Sequence, residues 1–449
     1  MPPTRINGQN SFTIAICGGG FSGLCIAIGL LHRNVPFHIY ESAPAFAEIG
    51  AGVAFGPNAL RAMKLIDPRI REGYDKIATQ NGSETRRETW FNFVVGMDCG
   101  LGKPGDHVVE IKDRDGVGQS SAHRAAFLDI LVDLVPKDKV TFSKRLVAVH
   151  EANSGVTLTF ADGTSTTASA VIGSDGVRSN IRKIILGEHD PAAHPRFAGK
   201  YAYRSLLPMS DAVSALGESQ ARNSMMWLGL HGRLVHYPID HGDRINVAFI
   251  HSKSDGKWDD DERWVLSSSK ENLSNDFEGF GQEVQNVLGL IEKPEMWAFF
   301  EHPDARTFYR GRMCMVGDAA HASAPYQGAG AGMALEDAYV MSCVLGAAFT
   351  TALDQGADPD VEKAFKAFDA VRRPRTQKMA RTSRECGVVL DCEDERVGED
   401  RERLAENLRM RFGWIWEYDL ERDGEVAMEM VKEGRGRERG REVEMRAFL

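Results

Sequence analysis

FTIAICGGGFSGLCIAIGLLHRNVPFHIYE, residues 12–41, decides how the rest of the chain is read. FTIAIC (12–17) is a short, unbroken apolar run, as expected of a strand buried on both faces of a parallel sheet. GGGFSG (18–23) makes a glycine turn, LCIAIGLLHR continues as a helix, and PFHIYE (36–41) reads as the next strand. Strand, turn, helix and strand within thirty residues make a βαβ unit. Gly18, Gly20 and Gly23 fit G-x-G-x-x-G. The first glycine permits the tight turn, the second lets backbone approach a pyrophosphate, and the third lets helix and strand pack closely. The anion then lies at the positive end of the helix. Glu41 ends the second strand, where a carboxylate can accept hydrogen bonds from ribose hydroxyls and would repel a 2′-phosphate. A dinucleotide other than NADP is therefore expected here.

The chain has 449 residues, which suggests two or three domains of roughly 150 residues each. Its 43% hydrophobic and 26% charged content is that of a globular protein. A net charge of −10 argues against a nucleic-acid partner, which needs a basic footprint. Seven cysteines, with no CxxC pair, suit a reducing compartment, and Cys17, Cys314 and Cys343 read as small buried hydrophobes. The N-terminus MPPTRINGQNSF lacks the basic and apolar regions of a signal peptide. No run reaches the ~18 uninterrupted apolar residues of a membrane span. A cytoplasmic protein is expected.

Further along, EIGAGVAFGPN (48–58) reads as a glycine-rich loop leading into a helix, and SAHRAAFLDILVDLV (121–135) as a helix with Ser or Ala near its cap. Residues 156–176 suggest a hairpin turning at Asp162-Gly163, then a strand and a second glycine turn. From about 195 to 300, alternating strands imply a separate, mainly antiparallel layer. RMCMVGDAAH (312–321) returns to a buried strand and a turn, followed by long helices. Beyond 393 the chain reads as a charged helical tail, interrupted by FGWIWEYDL (412–420) and ending in the low-complexity EGRGRERGRE (433–442). The expected architecture is α/β. A discontinuous Rossmann-type domain (10–180 and 301–390) surrounds a mixed or antiparallel β-sheet domain (181–300), with C-terminal helices at 391–449.

Two more glycine clusters follow the first. Gly173-Ser174-Asp175-Gly176-Val177-Arg178-Ser179 ends a strand; by itself it is equally well an ordinary turn with an Asx bond. Gly317-Asp318-Ala319-Ala320-His321 leads to Pro325-Tyr326-Gln327-Gly328-Ala329-Gly330-Ala331-Gly332 and a helix, leaving backbone amides free at the helix start.

In this order and spacing the three clusters resemble the group A flavoprotein monooxygenases, the single-component aromatic hydroxylases. The resemblance runs from residue 12 to about 380. It is nearest to salicylate-hydroxylase-type enzymes and fungal relatives acting on polyketide phenols. It implies a bound FAD, with NADPH or NADH as a transient co-substrate lacking a fingerprint of its own. Glu41 would bind the adenosine ribose, Ala54 would lie along the flavin, and Arg124 would sit near the ribityl and pyrophosphate groups. Asp175, in the family's DG segment, would be a further cofactor-binding residue, Asp318 would bind the ribitol, and Ala331 would contact the isoalloxazine through its backbone. Met333 stands where many relatives carry Asn or Gln, which puts a side-chain bond to the flavin from that position in doubt. The implied reaction transfers oxygen from a flavin C4a-hydroperoxide to a small electron-rich phenol that is salicylate-, orsellinate- or resorcylaldehyde-like. The hydroxylation can also expel a carboxylate or remove aromaticity, depending on the carbon attacked. The partners are then the phenol and O2, with no membrane span and a monomeric or homodimeric enzyme.

The substrate must be met by the antiparallel layer. Arg204 in YAYRSLL and Tyr237 in LVHYPI are polar residues in apolar strands, where a polar group without a partner is costly. An Arg cannot be a base, but it can hold a phenolate or carboxylate in a fork of hydrogen bonds. Relatives that act on polyketide phenols carry an Arg and Tyr pair at matching positions. The competing readings are a salt bridge within the sheet for Arg204 and core packing for Tyr237. His236 is an alternative base, although strand alternation puts it on the opposite face. His321 reads as structural, and Trp414 and Trp416 as tail packing or a dimer contact. A reductase or oxidase on the same fold, and a non-catalytic flavin-binding partner, are the competing functions. There is no G-x-S-x-G nucleophile elbow. There is also no metal-ligand spacing.

Overall fold

A computed structural model describes residues 12–46, 52–152, 154–260 and 262–433. The opening motif forms strand Ile14–Cys17, helix Phe21–His32 and strand Phe37–Tyr40. Both strands pair in parallel within a six-stranded sheet. Ala170–Gly173 lies on the other side of Ile14–Cys17, followed by Met313–Met315, also parallel. Ile14–Cys17, Ala170–Gly173 and Met313–Met315 are buried at every residue, the burial their unbroken apolar runs require. Two chain segments more than 140 residues apart thus build one Rossmann layer. The hairpin Gly155–Phe160 and Ser165–Ala168 turns at Gly163, whose φ of +81° suits glycine.

The antiparallel layer is an eight-stranded sheet. Its order is Val265–Ser267, Glu295–Glu301, Arg196–Pro208, Arg244–Ser252, Gly232–Ile239, Met225–Gly229, Thr89–Val95 and His107–Lys112. The last two strands come from 89–112, inside the stretch expected of the cofactor domain. Thr89–Val95 joins by a parallel pairing with Met225–Gly229. One face of the sheet buries Tyr203, Trp227, Leu234, Val247 and Phe249 beneath the helices Met209–Leu216, Lys270–Asp276 and Gln282–Gly289. The other face carries Phe91, Phe93, Met226 and Tyr237 toward Ala324, Tyr326 and Ala329 of the third glycine cluster.

Three local expectations are corrected. Within the glycine-rich stretch, Gly52–Phe55 is a strand, paired with Ser120–His123 in a two-stranded ribbon; residues 48–51 lie outside the described residues. The following helix spans Arg124–Asp133, and its cap is His123, whose Nδ1 accepts from the Ala125 amide at 3.3 Å. Part of the charged tail is core: Leu404, Leu408, Phe412, Ile415 and Trp416 are buried against the substrate-side face, and Trp416 meets Trp90 edge-on at 5.4 Å. Trp416 is thus packing within the chain, and Trp414 lies over Arg375 and Lys378. The low-complexity end, beyond Glu433, lies outside the described residues.

Among the described residues, Gly330–Gln355 is long and apolar enough to cross a membrane, but its apolar window is 94% buried, which marks a core helix. It packs against Phe21–His32, where a Cβ on Gly29 would stand 2.7 Å from the Ser342 Cβ.

Candidate active site

The glycine turn is shaped by its neighbours and open toward a ligand. A Cβ on Gly18 would lie 2.3 Å from the Ser174 carbonyl oxygen, and one on Gly23 would lie 2.0 Å from the Gly18 carbonyl oxygen. At Gly20 nothing lies within 4 Å, so the middle glycine faces open space. Gly20 caps helix Phe21–His32 without a side-chain hydrogen bond, which leaves the first amides of the helix for an anion. Glu41 closes the other side: its Oε2 accepts from the Gly19 amide at 2.6 Å and its Oε1 from the Ala43 amide at 2.7 Å.

In the second cluster the residue that meets the glycine turn is Ser174. Its hydroxyl donates to the carbonyls of Cys17 and Gly18 at 3.0 and 2.9 Å. The Asp175 carboxylate is directed to its own helix, accepting from the Ser179 hydroxyl at 2.5 Å and the Asn180 and Ile181 amides at 2.8 and 3.2 Å. Burial raises its pKa. That helix also supplies Arg182, fully buried, whose Nη1 donates to the carbonyls of Ala319 and Ala320 at 3.2 and 2.6 Å. The second cluster therefore braces both of the others.

The third cluster sets Asp318 at the surface while Gly317, Ala319 and Ala320 are buried. The Asp318 carboxylate has no hydrogen-bond donor among the described residues, so it is open to a ribitol hydroxyl. Ala329 begins helix Gly330–Gln355 without a side-chain cap, and Ala331 is half-exposed in its first turn. Met333 turns inward; it is fully buried, with its sulfur 3.9 Å from Arg372 Nη2. His321 is structural. Its Nε2 lies 2.6 Å from Asp337 Oδ2, which also accepts from the Gly317 amide at 3.0 Å, while Arg372 Nε donates to Oδ1 at 2.9 Å. Burial alone would raise Asp337, but the charges of His321 and Arg372 outweigh it and hold the carboxyl below its ordinary value. Burial likewise opposes ionisation of Glu336, and Arg375 and Arg372 overcome it, bringing the pKa to about 2. This buried charge network, the Asn58–Glu336 bond at 2.8 Å included, was not apparent in the sequence. Its only signal is a pair of carboxylates inside an otherwise apolar helix.

These features answer the demands of FAD. The open amides at Gly20 could take a pyrophosphate, Glu41 could accept from a ribose, the Asp318 carboxylate has no donor among the described residues, and the second uncapped helix start could favour an electron-rich ring through its positive dipole. The half-exposed Ala54 lies on the ribbon strand, between buried Val53 and Phe55. Arg124 starts the neighbouring helix with its guanidinium 4.9 Å from the Phe21 ring centroid.

The wide sheet brings the substrate candidates to this place. Arg204 and Val235 both pair with Ala248, while Leu206 and Tyr237 both pair with Asn246, so all six share one face. By strand spacing the Arg204 and Tyr237 Cα atoms stand roughly 12 Å apart, enough for a small aromatic between their side chains. Arg204, Leu206, Val235 and Ala248 are half-buried although they lie on central strands, which marks an opening in the sheet's covering. Among the described residues nothing accepts a hydrogen bond from Arg204; its guanidinium lies 5.6 Å from the Trp297 ring centroid. Burial lowers its pKa, with Tyr237 opposing and Arg124 adding to the shift. Tyr237 is raised by burial, against the charges of Arg204 and Arg124, so its hydroxyl stays a donor. Its ring meets Gly52, where a Cβ would stand 2.9 Å from Cε2. The Gly52 amide in turn donates to Asn246 Oδ1 at 3.2 Å, a tie between sheet and ribbon that the sequence did not indicate. His236 faces the opposite layer, accepts from Trp227 Nε1 at 3.1 Å, and is pushed down to about 3 by burial.

Residues 132–383 match the model of an FAD-binding domain family, described as "FAD binding domain". A 6-methylsalicylate 1-monooxygenase of Aspergillus terreus is 40% identical over 427 residues, covering 94% of this chain and 93% of the relative. The chain belongs to the FAD-dependent aromatic monooxygenases. A salicylate hydroxylase of Pseudomonas putida is 36% identical over 93% of the monooxygenase and 95% of its own length. The solved structure of a salicylate hydroxylase substrate complex superposes with a TM-score of 0.82 at 32% identity, covering 93% of the monooxygenase and 98% of that chain. The Rossmann-type architecture with its added sheet and C-terminal helices is the fold of that enzyme. FAD is the cofactor, and the chemistry is oxygenation.

Proposed function

We propose that the substrate is a small salicylate-type phenol, held in its phenolate form by Arg204 and Tyr237 on the sheet face opposite Ala54, and hydroxylated on the ring. The observation that carries this reading is Arg204: a half-buried guanidinium with no hydrogen-bond acceptor among the described residues, facing the cofactor loops. A cation in that position lacks a counter-charge, which an anionic substrate supplies.

Bound FAD supplies the activation of dioxygen, with reducing equivalents from NADPH or NADH. The chain supplies the rest. Arg204 favours the deprotonated phenol and, as a guanidinium, remains charged. The negative charge it holds raises electron density at the ring carbon ortho to the oxygen. Tyr237 donates a hydrogen bond to a substrate oxygen and fixes the ring's rotation. Phe91, Phe93 and Met226 form an apolar wall that keeps water from the reacting carbon. The relatives named for 6-methylsalicylate and salicylate support a carboxylated phenol, with loss of the carboxylate when its carbon is the one attacked. The seven unpaired cysteines support a cytoplasmic setting.

The reading is tested by screening phenols for stimulated NAD(P)H consumption by the FAD-loaded enzyme. Salicylates and related polyketide phenols should accelerate it. Equal rates with and without every phenol would instead fit a reductase or oxidase.

A further inference from the structure

A cleft of 440 Å³ lies next to the site but belongs to neither the glycine clusters nor the substrate face. Its wall includes Ser120, which pairs with Phe55 in the ribbon, and Pro238, which follows Tyr237. The Ser121 hydroxyl donates to the Pro238 carbonyl at 2.6 Å, tying the two walls together. The charged lining is unbalanced: Arg71, Arg87 and Arg222, with His241 beside them, share the wall with one carboxylate, Asp75, and a second, Glu218, reaches Arg222 from outside the lining. This concentration of positive charge occurs in a chain whose net charge is −10.

Each guanidinium has donors to spare. Arg71 Nε donates to Asp75 at 2.7 Å, Arg222 Nε donates to Glu218, and Arg87 Nη1 donates to Gln80 at 3.2 Å. A guanidinium has five N–H groups, so most remain for a ligand, in a fork that matches phosphate oxygens. The volume is within the ~300–1,000 Å³ of ligand clefts.

We propose that this cleft receives the phosphates of the reduced pyridine dinucleotide that delivers hydride to the flavin. The inference rests on the monooxygenase reading above. The G-x-G-x-x-G that opens a βαβ unit, Gly18–Gly23, is taken up by FAD, and the second match, Gly100–Gly105, is a turn that leads into strand His107–Lys112 with no helix behind it, so the hydride donor must be held by side chains. Three arginines beside the ribbon strand of Ala54 place its anionic part within one molecule's length of the cofactor.

The test uses the FAD-loaded enzyme with a saturating phenol. The double variant Arg87→Ala/Arg222→Ala should raise the KM for NADPH at least about tenfold, with a much smaller change in kcat and in the KM for the phenol. Both residues are surface side chains, so the fold should survive, as retained FAD absorbance will show. Asp75→Asn removes the opposing charge and should lower the NADPH KM two- to threefold. Adenosine 2′,5′-bisphosphate should compete with NADPH in the wild type and lose potency in the double variant. An NADPH KM that stays within twofold in the double variant overturns the inference. So does inhibition by inorganic phosphate as strong as that by the bisphosphate, which would mark a simple anion site. Wild-type enzyme that shows phenol-stimulated oxidation of neither NADPH nor NADH overturns the monooxygenase reading itself, so the two failures are distinguishable.

Discussion

Replacing Arg204 by Ala separates a substrate-binding arginine from a structural one. Among the described residues its guanidinium donates to no acceptor, and it lies over the Trp297 ring at 5.6 Å from the centroid. That contact is worth about 0.5–1 kcal/mol at a half-exposed site, and removing an unpaired, partly desolvated cation offsets it. The melting temperature should therefore move by less than about 3 °C. Bound FAD should stay near one per chain, because no Arg204 contact reaches the glycine clusters. The substrate, by contrast, loses a charge-assisted hydrogen bond worth about 1.5–3 kcal/mol, which corresponds to about 10- to 150-fold in kcat/KM. The pH at which turnover rises should also shift upward, since the phenol then ionises without a neighbouring cation. The assay is phenol-stimulated NADPH oxidation with product quantified, alongside thermal melts of the same preparation. Turnover within twofold of wild type would refute the assignment. So would a large drop in melting temperature accompanied by FAD loss, which would make Arg204 a structural residue.

Three further outcomes follow from the geometry. Gly23→Ala would drive a methyl to 2.0 Å from the Gly18 carbonyl oxygen, so the variant should purify without FAD or fail to fold, whereas Gly20→Ala, with open space around it, should fold and only weaken FAD; equal FAD content in both variants would count against this turn as the pyrophosphate site. Glu336 is held at about 2 by Arg375 and Arg372 against its burial, so its contribution to stability is complete above its unfolded pKa near 4.5 and is lost as pH falls from there toward 2; thermal melts of Glu336→Gln should differ from wild type most above pH 5 and converge in acid. Asp423 runs the other way, raised by burial to about 6 despite Arg372, so its cost to stability grows from pH about 4 to 6, and Asp423→Asn should gain on wild type across that interval; a constant difference between the two melting curves would contradict it.

The βαβ unit and its glycine turn were legible because their signals are local. Gly18, Gly20, Gly23 and Glu41 occupy fixed offsets in one βαβ unit, and the Gly317–Gly332 loop contains its own helix start. What the sequence concealed depends on contacts between distant segments. Met225↔Asn92 pairs strands across more than 130 residues, and nothing around residue 92 marks its strand as part of the substrate sheet. Asp175 reads like a ligand because its segment matches a family motif, yet its oxygens are occupied at the start of its own helix, and Ser174 does the bracing. Arg182 and Arg372 resemble solvated charges in sequence; burial and their carbonyl and carboxylate partners give them their function. The placement of His236 was legible, because strand alternation alone turns it away from Tyr237.

The most direct test of the central claim is oxygen labelling. FAD-loaded enzyme, NADPH and a salicylate-type phenol are incubated under ¹⁸O₂, and the product is analysed by mass spectrometry. One labelled oxygen in the new hydroxyl of the ring is the predicted result. A product whose new oxygen comes from water, or NADPH oxidised with no oxygenated product from any phenol, would contradict it.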